Sequence, residues 1–299
     1  MGGPCRARAR LDARHLGPSR RWSARAPSPP RGRHPLIAGQ RGSCSLRLAE
    51  RGGATTIARR FSHAPFGPAH LTFPDDSGIP EVQLTNPGGG TLGGDRLDLE
   101  IALGARSRAT VTTQAATKIY RGPQAVQRAA LLVGSGALLE YVPHHVIPFA
   151  GSSYRQETVV DMSESAMLIA WESVSAGRLA LGERFAFSAL STRLRVTRAG
   201  SLEAVDGCEL VLEREPFGGY SYLATLFVLA PMDLGQLAEN LHAFLATVPV
   251  LASASAPASG LVATRILAAD APSLYRALNG SRGIARAGLG LPPPPRSVT

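Results

Sequence analysis

The chain has 299 residues, of which 44% are hydrophobic and 18% are charged, and its formal net charge is +10. This is the composition of a folded globular protein and excludes a chain that is disordered throughout. Such a length can bury one large core or two small ones. Since the sequence contains no run of about 18 apolar residues, we expect a soluble protein without a membrane-spanning helix.

The positive charge is concentrated near the amino terminus. Residues 1–70 contain fourteen arginines against Asp12 and Glu50, whereas residues 71–299 contain 18 basic and 20 acidic residues. A nucleic-acid-binding function would therefore depend on the amino-terminal segment alone, since the remainder of the chain is close to neutral. We expect neither nucleic acid nor a membrane among the partners of this protein.

The amino-terminal segment also sets the predicted domain boundary. Residues 1–44 are rich in Arg, Pro, Gly and Ser and show no apolar periodicity up to about Gly42, which predicts a disordered extension. Three interpretations are open: a basic arm, an Arg-rich transit-like peptide, or residues translated from upstream of the true start, which the composition favours. We assign residues 45–290 to a single β domain and residues 291–299 to a Pro-rich tail.

The most distinctive stretch is a glycine-rich loop with five glycines between Pro87 and Gly94. Several of its positions need backbone conformations or close approaches that bulkier residues reach only with strain. Its spacing Gly88-x-Gly90-x-x-Gly93 matches the dinucleotide-binding fingerprint, which works only where the loop opens a helix. A nucleotide-binding enzyme that uses this loop is therefore the alternative interpretation.

The residues after this loop favour a different structure. From Leu97 to Leu103, apolar residues alternate with polar or small ones, and this period of two predicts a strand with one buried face. The loop then connects two strands and presents Asp95 at its end.

Tight turns recur along the middle of the chain, each between two apolar strands. They centre on residues 104–106, 134–136, 163–165 and 199–201. Hairpins repeated at a period near thirty residues, none able to bury its apolar face alone, predict a mainly β fold with a β-helix-like or stacked-sheet body. The apolar run of residues 220–230 predicts a further, buried strand.

Helices are predicted only in the carboxy-terminal third, where we expect about two. Asp233 and Gln236 form a pattern typical of a capping box, and Asp270 is a candidate N-cap of the second helix. Between them, the Ala, Ser and Pro content of residues 252–260 predicts a loop, and residues 261–267 predict a strand.

Residues suited to catalysis or tight metal binding are sparse. Cys5, Cys44 and Cys208 are too few and too scattered for a disulfide framework or a zinc knuckle, which favours a reducing cytoplasm. No nucleophile elbow Gly-x-Ser-x-Gly is present. His144 and His145 would face opposite sides of a strand, so the two rings are not expected to share one ion.

Two polar features remain to be explained. Lys118 is the only lysine in a chain with 31 arginines, and its neighbours are polar although apolar strands flank them, which suggests a polar seam inside the β body. Carboxylates occur singly beside apolar residues, and a buried carboxylate must find a hydrogen bond, a cation or water. These candidates are Asp95, Glu140, Glu172 and Asp206.

Four motifs in order resemble the urease accessory protein UreD family, called UreH in some lineages, over about residues 45–287. They are Pro87-Gly88-Gly89-Gly90 with Gly93-Gly94-Asp95, Thr113-x-x-Ala116-Thr117-Lys118-x-Tyr120-Arg121, Leu139-Glu140-x-x-Pro143, and Gly177-Arg178-x-Ala180-x-Gly182-Glu183-x-Phe185. Together the four motifs are specific, although any one of them alone is weak.

The resemblance implies a chaperone without catalytic residues that helps to load nickel into urease. It implies a β-helix-like body with a few helices, and it implies contacts with apo-urease and with the accessory proteins UreF and UreG. It also implies that Ni²⁺ passes through an internal polar channel, with no tightly bound cofactor. Matched motif by motif, the channel residues are Asp95, Thr117, Glu172 and, less directly, Asp206.

Overall fold

A computed structural model describes residues 39–75, 77–211 and 215–295, and within these residues the fold is mainly β with two α-helices. The strands are β1 (Arg41–Arg51), β2 (Ala54–His63), β3 (Leu71–Thr72), β4 (Glu81–Leu84), β5 (Arg96–Leu103), β6 (Arg108–Thr113), β7 (Thr117–Ile119), β8 (Ala125–Val133), β9 (Leu138–Tyr141), β10 (Val146–Pro148), β11 (Ser153–Met162), β12 (Met167–Ser175), β13 (Ala189–Arg198), β14 (Ser201–Val211), β15 (Tyr222–Leu229), β16 (Val250–Ala258) and β17 (Leu261–Ala268). The helices are α1 (Gly235–Leu245) and α2 (Ala271–Gly288).

The described strands form two sheets. The first has seven strands in the order β14-β13-β11-β8-β5-β1-β2. The second has ten strands, eight of them in the order β16-β17-β15-β12-β9-β6-β4-β3, and β10 joins β12 to β7 beside this path. The predicted class of a mainly β, stacked-sheet protein with two helices in the carboxy-terminal third is confirmed.

The centre of each sheet is parallel, because the chain winds from one sheet to the other. β5, β8, β11 and β13 pair in parallel in the first sheet, and β4, β6, β9 and β12 do so in the second. Three of the four predicted hairpins are therefore wrong, since the turns at residues 104–107, 134–137 and 163–166 join strands of different sheets. The turn at residues 199–200 does join an antiparallel hairpin, β13 with β14.

Alternation of side chains explains why these strands stack. β5 buries Leu97, Leu99, Ile101 and Leu103, and its intervening residues are more exposed. Each winding adds such a strand, and the inward faces of the two sheets pack into one apolar core. At roughly 25 cal/mol per Å² of buried apolar surface, this face-to-face packing is the main source of stability.

Helices α1 and α2 cover the outer face of the second sheet. β15 is buried on both faces, because the core lies on one side and the helices on the other, and this explains its continuous apolar sequence. The helices meet closely at Gly280, where an added Cβ would lie 2.1 Å from the Phe244 ring. The absence of a side chain at this position therefore allows α1 and α2 to pack.

The carboxy-terminal predictions have mixed outcomes. The loop predicted for residues 252–260 is wrong, because residues 250–258 form β16, which pairs antiparallel with β17. The small residues of β16 can form an edge strand because its neighbour β17 contributes the buried side chains. Asp270 is the N-cap of α2, as predicted, and accepts a hydrogen bond from the Ser273 amide at 2.7 Å. Asp233 is no such cap, since α1 begins after Leu234 without a side-chain cap.

The ends of the predicted domain can be compared with the described residues. The boundary at Ser45 lies inside β1, which begins at Arg41. The predicted extension otherwise falls in residues 1–38, which lie outside the described residues, as does Cys5. None of the helices in the part of the chain that the structure describes is long and apolar enough to cross a membrane.

Candidate functional site

A cavity of about 210 Å³ with a partly polar wall lies between the two sheets at the end nearest the glycine-rich loop. Its wall includes Gln127 and Gln156 from the first sheet, and Tyr141 and Glu172 from the second. The apolar core that fills the rest of the space between the sheets is interrupted here by side chains that can hydrogen-bond, which stand beside apolar residues such as Leu84, Leu97 and Leu99. The sequence prediction of a polar seam inside the β body agrees with this cavity.

Glu172 is the acidic residue of this wall. Its Oε1 accepts hydrogen bonds from Gln156 Nε2 at 2.8 Å and from Thr158 Oγ1 at 2.6 Å. Burial raises the pKa of this carboxyl and the charge of Asp206 raises it further, whereas the two hydrogen bonds lower it. Oε2 has no hydrogen-bond partner among the described residues, so one carboxylate oxygen is held and the other is available.

Further hydroxyl-bearing residues stand around the cavity. Thr91 and Ser173 are among its lining residues, and their hydroxyl oxygens are buried and make no hydrogen bond within the described residues. Thr117 also lines the cavity, and its backbone amide donates to the His145 carbonyl at 3.0 Å.

The glycine-rich loop forms part of the cavity wall and is tied to β7. The Thr91 amide donates to the Lys118 carbonyl at 2.8 Å, and the Tyr120 amide donates to the Thr91 carbonyl at 2.9 Å. An added Cβ at Gly90 would lie 2.7 Å from the Lys118 carbonyl oxygen and 2.6 Å from the Tyr120 ring. The loop leads into β5, not into a helix, so the nucleotide fingerprint lacks the helix amino terminus that it needs.

Asp95 shapes the end of this loop and does not face the cavity. Its Oδ1 accepts from the Gln40 amide and its Oδ2 from the Leu92 amide, both at 2.8 Å. Close packing beside it requires glycine, because an added Cβ at Gly93 would lie 2.6 Å from the Gly122 Cα. The other glycines and the arginine of the predicted motifs are exposed or half-buried in the loops: Gly88, Gly89, Gly94 and Arg121.

Asp206 also lies outside the cavity lining among the described residues. It stands on β14 and forms an ion pair with Arg265 of β17, which links the two sheets. Of the four predicted channel residues, the structure thus brings Thr117 and Glu172 to the cavity, places Asp95 in the loop, and leaves Asp206 close enough to Glu172 only to affect its charge.

The two adjacent histidines have different surroundings. His144 lines the cavity. His145 is buried, with its Nδ1 2.8 Å from the hydroxyl of Tyr275 on α2 and its ring packed against Tyr222. Burial, with a smaller contribution from the charge of His144, lowers the pKa of His145 to about 4. The two histidines lie between β9 and β10 and not on a strand, so the alternation predicted for them is wrong, and both rings pack on Tyr275.

The motif around Arg178 braces the loop that follows β10. The Arg178 guanidinium pairs with Glu183 and lies over the Phe149 ring at 4.4 Å, and this ring meets Tyr120 edge-on. Glu183 also accepts a hydrogen bond from the Ala150 amide at 3.1 Å. Arg178 first, and this amide second, lower the pKa of Glu183. The motif is therefore structural, near β7 and the cavity but not part of its lining.

Glu140 is fully buried and anchors α2 to the second sheet. Arg282 and Arg286 of α2 each donate to one of its carboxylate oxygens, and Thr110 donates to Oε2. Sequence reasoning picked out Glu140 but missed both arginines. The signal that could have found them is their spacing of four residues on a helix with a predicted apolar face, where a charge is costly unless it is paired.

The family of this chain follows from the similarity of its sequence to known proteins. The sequence profile of the UreD urease accessory protein family matches residues 40–299. A urease accessory protein UreD from Alkalilimnicola ehrlichii is 33% identical over 277 residues, which cover 88% of this chain and 92% of that protein. One from Sorangium cellulosum is 33% identical over 85% of this chain and 83% of its own length.

A third relative gives the same result. A urease accessory protein UreD from Cenarchaeum symbiosum is 30% identical over 260 residues, which cover 81% of this chain and 90% of that protein. The family profile spans both sheets, the cavity and the two helices. The chain therefore belongs to the UreD urease accessory protein family.

Proposed function

We propose that this protein is a urease maturation chaperone that passes Ni²⁺ toward the urease active site through the cavity between its sheets. The observation that supports the proposal is the buried carboxylate of Glu172 in the wall of that cavity, with one oxygen hydrogen-bonded and the other available. In this role the protein binds apo-urease and the accessory proteins UreF and UreG in the cytoplasm, and it has no catalytic residues of its own.

The donor atoms of the cavity suit a cation that has to move on. Carboxylate and hydroxyl oxygens hold Ni²⁺ less firmly than thiolates or clustered imidazoles do. Within the described residues, no three His, Cys, Asp or Glu side chains are grouped to hold a metal. Such a lining supports transit of Ni²⁺ rather than storage.

Glu172 is the residue on which the proposed path depends most. Gln156 and Thr158 fix one of its oxygens, so the second oxygen is presented in a constant position. A cation near this oxygen favours the ionised carboxylate, against the burial that raises its pKa. Thr117 supplies a hydroxyl at the same cavity. Asp95 and Asp206 contribute to this path indirectly, through the loop and through charge.

The test is the nickel content of urease matured with single variants. Glu172→Gln keeps the shape of the side chain and removes its charge, so we expect less nickel per urease active site and lower urease activity. The matched control is Glu100→Gln, on the exposed face of β5, which should leave both unchanged. Both variants must pull down equal amounts of the partner proteins. A lower nickel content then reflects impaired nickel transfer and not impaired complex formation. Full nickel loading with Glu172→Gln would contradict the proposal.

A further inference from the structure

β11 presents three buried polar side chains toward Glu172. They are Tyr154, Gln156 and Thr158, which occupy alternate positions of the strand and therefore share its inward face. Gln156 and Thr158 both hydrogen-bond to Oε1 of Glu172, and Tyr154 hydrogen-bonds to Gln156. We call these three side chains the β11 polar row. The row connects Glu172 to a phenol that makes no hydrogen bond to Glu172 itself.

The carboxylate sets the direction of the hydrogen bonds along this row. When Glu172 is ionised its oxygens can only accept, so Gln156 must turn its amide nitrogen to Oε1, at 2.8 Å. The amide oxygen of Gln156 then faces the Tyr154 hydroxyl at 3.2 Å. This amide oxygen carries no proton, so the hydrogen bond uses the single proton of Tyr154. Within the described residues the Tyr154 hydroxyl has no other hydrogen-bond partner.

Tyr154 keeps the proton that this arrangement requires. Its side chain is fully buried. Burial, followed by the charges that Tyr141 and Glu172 carry when ionised, raises the pKa of Tyr154 well above its ordinary value. At neutral pH the hydroxyl is therefore a donor to Gln156.

The row does not reverse when Glu172 takes up a proton on Oε1. Donation from Oε1 to Gln156 would need the amide to turn, which brings its nitrogen to Tyr154 and leaves the Tyr154 proton without an acceptor. Donation to Thr158 would displace the single proton of that hydroxyl, which has no second acceptor in the described part of the chain. An orphaned buried donor is costly, so a proton on Oε1 is disfavoured.

We propose that Tyr154 is a positioning residue for Glu172, because through Gln156 it keeps Oε1 a hydrogen-bond acceptor and leaves Oε2 as the oxygen that takes up and releases a proton. Tyr154 therefore acts on a carboxylate that it does not touch. This inference rests on the proposed function only in that Glu172 is the residue on which the proposed path depends.

Other titratable groups face Glu172 from the elements around it. Tyr141 of β9 and Asp206 of β14 interact with it through charge, and Asp206 is paired with Arg265 of β17. The cavity lining adds two more, Lys118 and His144. None of these groups hydrogen-bonds to Glu172 within the described residues. Tyr141→Phe is therefore a matched control for Tyr154→Phe, since both remove one buried phenolic hydroxyl near the carboxylate.

The test is a pH titration of the Glu172 carboxyl by ¹³C NMR of the metal-free full chain, with the signal assigned through Glu172→Gln. Tyr154→Phe should raise the pKa of Glu172, because the Gln156 amide can then turn without orphaning a proton. Gln156→Leu should raise this pKa further, since it removes a direct hydrogen bond to the charged form. Tyr141→Phe should not raise it. Equal pKa values in Tyr154→Phe and Tyr141→Phe, or a lowered value in Tyr154→Phe, would overturn the inference.

The hydroxyl of Thr158 separates this role from a loss of packing. Thr158→Ser keeps the donor to Oε1 and should leave the pKa of Glu172 unchanged, whereas Thr158→Val should raise it. In every variant the other glutamate signals should stay in place, and a general shift of them with Tyr154→Phe would mean that Tyr154 acts through the fold. Neither nickel nor urease is present in these titrations, so this inference and the proposed function can fail independently.

Discussion

Of the two glycines in the cavity wall, Gly90 is the one without room for a side chain. A Cβ there would lie 2.7 Å from the Lys118 carbonyl oxygen and 2.6 Å from the Tyr120 ring. We expect Gly90→Ala to push the loop away from β7, lower the free energy of unfolding by about 1–3 kcal/mol and reduce urease maturation.

Thermal or denaturant unfolding measures this effect, with Gly207→Ala as the control. At Gly207, on β14, the nearest atom to an added Cβ is 3.5 Å away, which is an ordinary contact. This substitution should be neutral or slightly stabilising. If both variants unfold alike, the close approach at Gly90 does not constrain the loop.

For single residues, the sequence predicts which carboxylates are buried better than it predicts what they contact. Alternation places Glu172 beside buried neighbours, but the hydrogen bonds from Gln156 and Thr158 come from another sheet and leave no local signal. Asp95 has the same composition of neighbours, yet backbone amides satisfy both of its oxygens. Whether a carboxylate faces the cavity depends on how far each strand is shifted against its neighbours in the stack. The residues next to a carboxylate in the sequence do not reveal this shift.

Among the elements, α2 is set by its cap. The Ser273 amide donates to Asp270, and this hydrogen bond lowers the pKa of the carboxyl. We expect Asp270→Ala to cost about 1 kcal/mol in the free energy of unfolding and Asp270→Ser much less, because Ser also caps helices. Urea unfolding of the three proteins measures the difference.

The same cap gives a pH dependence with a defined sign. Because the folded pKa of Asp270 lies below the ordinary value of about 3.9, its contribution is complete above that value and is lost as the pH falls through the folded pKa. The gap in stability between wild type and Asp270→Ala should therefore shrink in acid. A gap that is constant down to low pH would contradict this account of the cap.

The second prediction for α2 concerns its anchor on the sheet. Glu140→Leu leaves Arg282 and Arg286 buried without their partner and should cost about 3–5 kcal/mol in the free energy of unfolding. Replacing the whole cluster by apolar residues, with Arg282→Met, Arg286→Met and Thr110→Val added, should recover most of this loss. Calorimetry of both variants measures the free energy of unfolding. If the apolar variant recovers no stability, the buried ion pairs stabilise the fold by more than their burial costs.

A strand or helix could be predicted from the sequence where the pattern that identifies it lies within that one element. The period of two identifies β5, and the cap identifies the start of α2. Pairing was not predictable, because the turns at residues 104–107 and 134–137 look like hairpin turns although their strands lie in different sheets. The alternation that marks a buried face is present within a single strand. The strand that hydrogen-bonds to it belongs to the next turn of the winding.

At the scale of the whole molecule, the two stacked sheets enclose the cavity. Parallel winding fills most of the space between them with apolar side chains and leaves a cavity with a partly polar wall at one end, beside the glycine-rich loop. The family motifs at Gly90, Lys118 and Arg178 surround or brace that end. The family was recognisable from the sequence because these motifs have a fixed order, whereas the cavity required the fold.

The central claim is that nickel crosses this cavity, and a plug tests it most directly. Ala116 lines the cavity and Ala130 lies on the exposed face of β8, so Ala116→Trp obstructs the passage and Ala130→Trp is its control. The measurement is nickel per active site in urease matured with each variant, after equal partner binding is established. We predict a large loss with Ala116→Trp and none with Ala130→Trp. Equal nickel loading by the two variants would contradict the claim.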